Sequence, residues 1–471
     1  MGYNTEKDEP LTPAGRMFLQ PEMNTIITCA IGLKNPIDIG AIRSEVKASV
    51  MLKQPRFTSL LVRDSNGREH WRSTQINVDR HLVIRPEPVT EDPSVSPEDA
   101  VNEYLADLSV SCPLSTDKPL WEIHLLMAHN CIVLRVHHAL GDGISLMSMF
   151  LSCCRRADDP AQTPTIGGLG TSSSTAASGE ERRRRRRSLW TLLNVVWYTL
   201  VYAVEFCLRS MWLKDKKTAV SGGAGVELWP RKLETAKFVL DDMKIVKKAV
   251  VGATINDVLF GVVSSGLSKY LSIRSSPEAL PEGRKMTGLS MVNLRPQPGL
   301  QDMTKLMDEK SKTRFGNQFG MLLLPVYYHK NESDPLQFVR RAKQMIDKKK
   351  LSLEALFSYK IGDFVMSNFG PKLACKLNYR IVCNTTFTIS NVIGPKEEIT
   401  AVGNPVTYLR ANSTSLPHAI TMHMVSYAGK ADMQILVAKD IIPDSQLLAK
   451  CFEDALLEMK EFAVASEKGV K

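Results

Sequence analysis

A chain of 471 residues that is 44% apolar and 23% charged has ordinary globular composition, too long for one compact core and too apolar for a disordered or fibrous protein. The formal net charge of +10 is concentrated: six of the positive charges form the single run Arg182 to Arg187, and the remainder of the chain is close to balanced. No zinc-finger spacing or aromatic-studded basic motif accompanies that run, so a nucleic-acid partner is not expected; a basic patch next to an apolar helix fits an anionic membrane surface better.

From the N-terminus, MGYNTEKDEPLTPAGRMF has no apolar core of the kind a secretory signal needs. NTIITCAIGL (24–33) predicts a strand, and Ile42, Val46 and Val50 recur at the helical interval over 39–51. WEIHLLMA (121–128) and CIVLRV (131–136) predict a hairpin turning at Asn130, and the apolar ISLMSMFLSCC that follows predicts a short helix. These elements make up a first lobe, 1–155. Residues 156–187 are rich in Gly, Ser, Thr and Pro, end in the arginine run, and predict a disordered linker.

The stretch 188–213, SLWTLLNVVWYTLVYAVEFCLRSMWL, is close to the length of a minimal membrane span. Thr191, Asn194, Tyr198, Tyr202, Glu205 and Arg209 nevertheless recur every three or four residues, which puts a polar stripe on one helical face. That stripe, with tryptophans at 190, 197 and 212, favours a helix lying in the membrane interface over a span or a buried soluble helix. The second lobe is 214–471. GATINDVLFGVVSSGLSKYL (252–271) predicts a helix. MTGLSMVNLRP, TTFTISNVIGP, AITMHMVSY and ADMQILVAKD predict strands, the last two a hairpin around Ala428-Gly429-Lys430. The nine cysteines form no CxxC pair, which fits a reducing compartment, and the sequons at Asn331, Asn384 and Asn412 read as chance matches.

One loop carries the chemistry. RVHHALGDGIS (135–145) sits between an apolar strand and an apolar helix, a setting in which catalytic groups are held by a rigid scaffold. A lone histidine there is more often a satisfied structural residue. Here His138, Asp142 and Gly143 stand at fixed spacing, and two glycines flank the aspartate, permitting backbone angles that a side chain would resist. A neutral imidazole accepts and returns a proton at neutral pH. No GxSxG elbow, HExxH, GxGxxG or Walker loop is present, so a serine triad, a zinc site and a nucleotide cradle are not expected. A base without a nucleophile suits direct attack of a hydroxyl on an activated acyl group such as a thioester.

HHALGDG resembles the HHxxxDG motif of the coenzyme A-dependent acyltransferase superfamily. Pro119-Leu120-Trp121-Glu122, Asn256-Asp257, Val292-Asn293-Leu294-Arg295-Pro296, Gly316-Asn317-Gln318-Phe319-Gly320 and Ser390-Asn391-Val392-Ile393-Gly394-Pro395 follow in family order. Over nearly its whole length the chain is similar to the plant branch of the bifunctional wax ester synthase/diacylglycerol acyltransferases. The resemblance implies an α/β fold of two chloramphenicol-acetyltransferase-like lobes, a pseudo-dimer around a central substrate tunnel. It also implies acyl transfer from fatty acyl-CoA to a long-chain fatty alcohol or to diacylglycerol, with acyl-CoA as substrate and no separate cofactor or metal.

By the same resemblance, His138 is the general base and His137 packs or orients. Asp142 is a structural carboxylate, and Gly143 lets the backbone pass close. Asn256 bonds near the reacting carbonyl, or Asn256 and Asp257 cap their helix; Trp121 lines the substrate site or is a core aromatic. The implied setting is the cytosolic face of the endoplasmic reticulum membrane, or the plasma membrane. The competing reading from another class is a non-catalytic lipid-binding protein that has kept the fold. Acyl and alcohol chain length, the main product and the oligomeric state are not legible in the sequence.

Overall fold

The computed structural model describes residues 8–110, 112–164, 189–275, 280–295, 315–330 and 332–469; most of the expected linker, with Arg182 to Arg187, lies outside them, as do Asn331 and Pro296. The chain enters through β1 (Glu9–Pro10) and the short α1 (Pro13–Phe18), started by Pro13 and by Thr12, whose Oγ1 accepts from Gly15 N. Next come β2 (Ile26–Leu33) and α2 (Ile39–Ala48), the latter capped by Asp38 and shorter than its apolar spacing predicts. β3 (Ser59–Arg63) and β4 (Glu69–Ser73) join β1 in a small three-stranded sheet.

After β5 (Leu82–Arg85) and α3 (Pro97–Leu108), β6 (Trp121–Leu126) and β7 (Cys131–His137) form the expected hairpin, Leu126 opposite Cys131. Its turn passes through Asn130 at φ 47, a conformation asparagine tolerates better than most residues. α4 (Gly143–Ser152) and β8 (Cys154–Arg156) complete this half.

The C-terminal half begins with α5 (Leu189–Met211), β9 (Arg231–Val239), α6 (Leu240–Ala249) and α7 (Ile255–Arg274). β10 (Lys285–Asn293), β11 (Phe319–Tyr327), α8 (Leu336–Leu351), α9 (Glu354–Phe369) and α10 (Pro371–Cys383) follow. Then come β12 (Phe387–Ile393), β13 (Ile399–Ala401), β14 (Asn404–Ser413), β15 (Ile420–Tyr427), β16 (Lys430–Ala438) and α11 (Ser445–Gly469). β15 and β16 are the predicted hairpin; Ala428 (φ 46) and Gly429 (φ 80) supply the two left-handed turn residues that such a tight connection needs.

Two large sheets result, ordered β5-β6-β7-β2-β14-β13-β8 and β11-β10-β12-β15-β16-β9. A division of the chain at residue 214 does not describe them. β14 pairs with β2, Leu409 opposite Ile31, and β13 pairs with β8, Ala401 opposite Cys154. The C-terminal half thus supplies two strands to the sheet that carries the histidine loop. Pairing between strands so far apart in sequence leaves no local trace, because strand spacing reports only which face of a strand is buried.

α5 lies against the second half with the C-terminal part of its polar stripe, Tyr198 to Arg209, turned inward, while Asn194 is exposed. Arg209 is 2% exposed and donates to Thr287 Oγ1 (2.8 Å), Asn384 O (2.7 Å) and Asp215 Oδ1 (3.0 Å). Lys349 sits 3.5 Å over the Tyr202 ring while paired with Glu354 (2.7 Å), and Leu353 N donates to Thr199 Oγ1. The outward face is apolar and bare: Trp190 and Trp197 are 74% and 62% exposed, with Leu193, Leu200 and Val204 beside them. A helix buried in a soluble core is therefore contradicted. Of the sequons, Asn412 is buried and Asn384 holds the Arg209 carbonyl.

Candidate active site

The histidine loop is fixed at both ends by its own backbone. His137 closes β7 opposite Ile26, His138 N donates to Thr25 O, and Leu140 N turns back to His137 O. The two rings then diverge. His137 is buried; its Nδ1 accepts from Ala139 N (3.0 Å), so the ring hydrogen sits on Nε2 and donates to Asn24 Oδ1 (2.8 Å). Both nitrogens are occupied. Burial, with His138 next to it, pushes the pKa down to about 3, so the ring stays neutral and structural.

His138 is held in the opposite tautomer. Asn317 Nδ2 donates to the His138 carbonyl (2.8 Å), which aims Asn317 Oδ1 at Nδ1 of the ring, 3.0 Å away. An amide oxygen only accepts, so Nδ1 carries the hydrogen and Nε2 keeps its lone pair. Nε2 makes no hydrogen bond to the described residues. The ring stacks on Phe18 at 4.1 Å and meets Phe319 edge-on at 5.9 Å. It is 7% exposed, and burial lowers its pKa against the opposing pull of the Asp142 charge.

Asp142 is the tie between the two halves. One carboxylate oxygen caps α4 through Ser145 N (2.9 Å); the other accepts from Arg295 (2.8 Å) and from Gln318 N (3.0 Å). Arg295 also reaches Ser145 Oγ and Gly316 O. Asp142, Ser145 and Arg295 are buried, and both carboxylate oxygens of Asp142 are engaged, an arrangement that fits a structural carboxylate. Gly143 departs from expectation. Neither flanking glycine has positive φ, and a Cβ on Gly143 would meet only Val392 Cγ2, at an ordinary 3.7 Å. The closer approach is at Gly141, where a Cβ would come within 3.1 Å of the Phe315 ring.

The remaining candidates separate. Trp121 is fully buried, donates to Phe57 O (2.9 Å) and stacks on His81 at 3.8 Å, so it is a core aromatic and reaches no substrate space. Asp257 forms a capping box with Thr254 at the start of α7 and is buried there. Asn256 points elsewhere, accepting from Asn391 Nδ2 (2.8 Å) on β12, next to the Val392 that faces Gly143.

Two site residues carry no sequence signal for their roles: Arg295 and Asn317 lie in quoted motifs, but nothing in their spacing connects them to the histidines. A third, His423 on β15, bridges Ser390 (2.7 Å) and Ser413 (3.1 Å), and burial with His138 nearby brings its pKa down to about 4.

Beside the loop lies a largely apolar cavity of about 230 Å³, walled by Met17 of α1, Phe206 of α5, Ile361 and Val365 of α9 and Leu377 of α10. Asn317 and Phe319, two of the residues that touch the His138 ring, form part of its wall; the ring itself does not. A ring nitrogen with a free lone pair, one side chain removed from an apolar space, suits deprotonation of a hydroxyl that arrives on a hydrocarbon chain.

Comparison with known proteins finds matching family models: the wax ester synthase/diacylglycerol acyltransferase catalytic domain over residues 38–259 and the WS/DGAT C-terminal domain over 315–460. The chain is 34% identical to wax ester synthase/diacylglycerol acyltransferase 11 of Arabidopsis thaliana, over 99% of this chain and 97% of that one, and 35% identical to enzyme 5 of the same series, over 97% and 94%. Among solved structures, the wax ester synthase/diacylglycerol acyltransferase of Marinobacter aquaeolei VT8 superposes with a TM-score of 0.59 at 17% identity, covering 97% of this chain and 99% of that one. The first condensation domain of the calcium-dependent antibiotic synthetase gives 0.59 at 14% identity, covering 98% and 97%. The structural likenesses show that the chain has the mixed α/β fold these proteins share.

Proposed function

The chain belongs to the wax ester synthase/diacylglycerol acyltransferase family, and from that premise we propose that His138 is the base with which it moves a fatty acyl group from acyl-CoA to a long-chain alcohol, giving a wax ester, or to diacylglycerol, giving triacylglycerol. The protein is a transferase, and its substrates are an acyl-CoA and an alcohol or acylglycerol.

The observation that carries the proposal is the Asn317 Oδ1 to His138 Nδ1 bond, which leaves Nε2 with an uncommitted lone pair; Asn317 and Phe319, which touch that ring, also wall the cavity. The alcohol gives its proton to Nε2 as its oxygen bonds to the thioester carbon. The carbon–sulfur bond then breaks, and the imidazolium returns the proton to the departing thiolate, leaving ester and free coenzyme A. No covalent enzyme intermediate forms. Because burial disfavours the imidazolium, the ring gives up its proton readily, while the negative charge of Asp142 keeps the charged form within reach. The reaction so written calls for no metal and no bound cofactor.

The apolar face of α5 fits an interfacial helix at the surface of the endoplasmic reticulum membrane. All nine cysteines are free thiols, which fits its cytosolic side. Purified protein incubated with palmitoyl-CoA and either hexadecanol or diacylglycerol, alongside His138→Ala, tests the assignment. Ester from the parent and a loss of about 10²- to 10⁴-fold in the variant are expected. Equal product from both removes His138 as the base.

A further inference from the structure

α5 is not the only helix with a bare apolar face. α9 runs beside it, joined at Leu353 N to Thr199 Oγ1 and by Phe357 edge-on to Phe206 at 6.2 Å. Its inner side carries Glu354, Ser358 and Met366, all buried. Its outer side carries Leu353, Leu356 and Phe364, all exposed, and Phe369 packs edge-on against Phe364 at its end. Neighbouring stripes on two helices make one apolar surface of a kind soluble proteins seldom leave uncovered.

The charge at its edges indicates what covers it. Lys214, Lys216 and Lys217 follow α5, Lys348 and Lys350 precede α9, and Lys372 begins α10; all are exposed, and none is in an ion pair with the described residues. On α9 itself Glu354 is consumed by Lys349, which leaves Asp363 as the accessible carboxylate. Apolar stripes with tryptophans, flanked by unpaired lysines, match the headgroup region of an anionic bilayer.

The cavity lies under this surface. Phe206, Cys207 and Ser210 of α5 and Ile361, Gly362 and Val365 of α9 face each other across it, and it extends to Asn317 and Phe319 beside His138. At Gly362 a Cβ would meet nothing within 4 Å, so the space there is open. We propose that α5 and α9 together form one docking platform for an anionic phospholipid surface, and that the cavity between them admits the hydrocarbon chain of the acceptor alcohol laterally from that surface toward His138. The platform half rests on geometry and charge; the admission half rests on the acyl-transfer reading above.

The full-length chain is floated with phosphatidylcholine–phosphatidylserine vesicles, and its turnover is measured on vesicle-embedded hexadecanol and on octanol dissolved in buffer. The α9 double variant Leu356→Glu/Phe364→Glu is expected to bind vesicles about tenfold or more weakly while melting as the parent does. Trp197→Glu on α5 should weaken binding comparably. Unchanged binding of the α9 variant overturns the platform, as does loss confined to the α5 variant. Gly362→Leu is expected to float as the parent but to lose several-fold in hexadecanol turnover relative to octanol; an unchanged ratio overturns lateral admission. His138→Ala must still float. If it also makes ester, the catalytic assignment fails while the platform stands.

Discussion

His137 and His138 share a peptide bond and a deep burial, yet the first has both ring nitrogens consumed, by Asn24 Oδ1 and Ala139 N, while the second has one pinned by Asn317 and one left over. The residue types are the same, and so is the direction of the burial effect on pKa. What differs is the hydrogen-bond partner of Nδ1: a donor fixes the hydrogen on Nε2, and an acceptor leaves Nε2 as a base. On the proposed role of His138, function at this loop is thus a matter of tautomer and access rather than of histidine as such.

The largest expected effect is on the free nitrogen. His138→Ala should cost about 10²- to 10⁴-fold in kcat/KM, and kinetics on His137→Ala should not match it; equal losses from the two would erase the distinction. Next is Arg295→Met, which leaves the Asp142 charge buried without its partner. A loss of about 3–5 kcal/mol of stability is expected, read as a lower urea midpoint. An unchanged midpoint would mean that the tie between the halves is not under load.

Asn317 tests the tautomer directly. Asn317→Ala should lower kcat by about 10²-fold through loss of ring orientation. Asn317→Asp places a carboxylate on Nδ1, stabilises the imidazolium and should move the acid limb of the pH–rate profile to higher pH. A limb that stays in place would separate it from His138.

The smallest effect is at His137. His137→Ala strands Asn24 Oδ1 and Ala139 N and should cost about 1–3 kcal/mol of stability, with kcat of the folded enzyme within about tenfold. His137 also links stability to pH. Its folded pKa, about 3, lies below the ordinary 6.5, so its contribution is complete above 6.5 and is lost as pH falls from there toward 3. Replacing it with Gln should flatten that acid slope by up to about 1.4 kcal/mol per pH unit in thermal melts at pH 4–6. A slope that does not change would mean the ring is already protonated in the native state.

Periodicity and turn chemistry made much of the fold legible: the β6–β7 hairpin at Asn130, the β15–β16 hairpin at Ala428-Gly429, the helices α4 and α7, and the polar stripe of α5. The histidine loop was legible for the same reason, since strand, motif and helix are contiguous. Three readings shifted on contact with the structure. Trp121 is spent on His81 and the Phe57 carbonyl. Gly143 needs no special backbone angle, and β13 and β14 belong to the sheet of the other half. Each depends on what comes to lie beside a residue, which a single sequence does not state.

α5 and α7 draw the line most clearly. Both are long and mostly apolar in sequence. α7 ends up buried nearly all round against α8 and α11, whereas α5 turns its charged stripe inward and its tryptophans out. The amino-acid order by itself determined which segments are helices and strands, which faces of them are apolar, and where a proton-transfer loop sits, because these follow from interactions within a few residues. Only the tertiary structure decided which histidine keeps a lone pair, which arginine neutralises Asp142, and which apolar face stays bare. Those outcomes are set by groups more than 150 residues away, brought within about 3 Å by the packing of the two sheets.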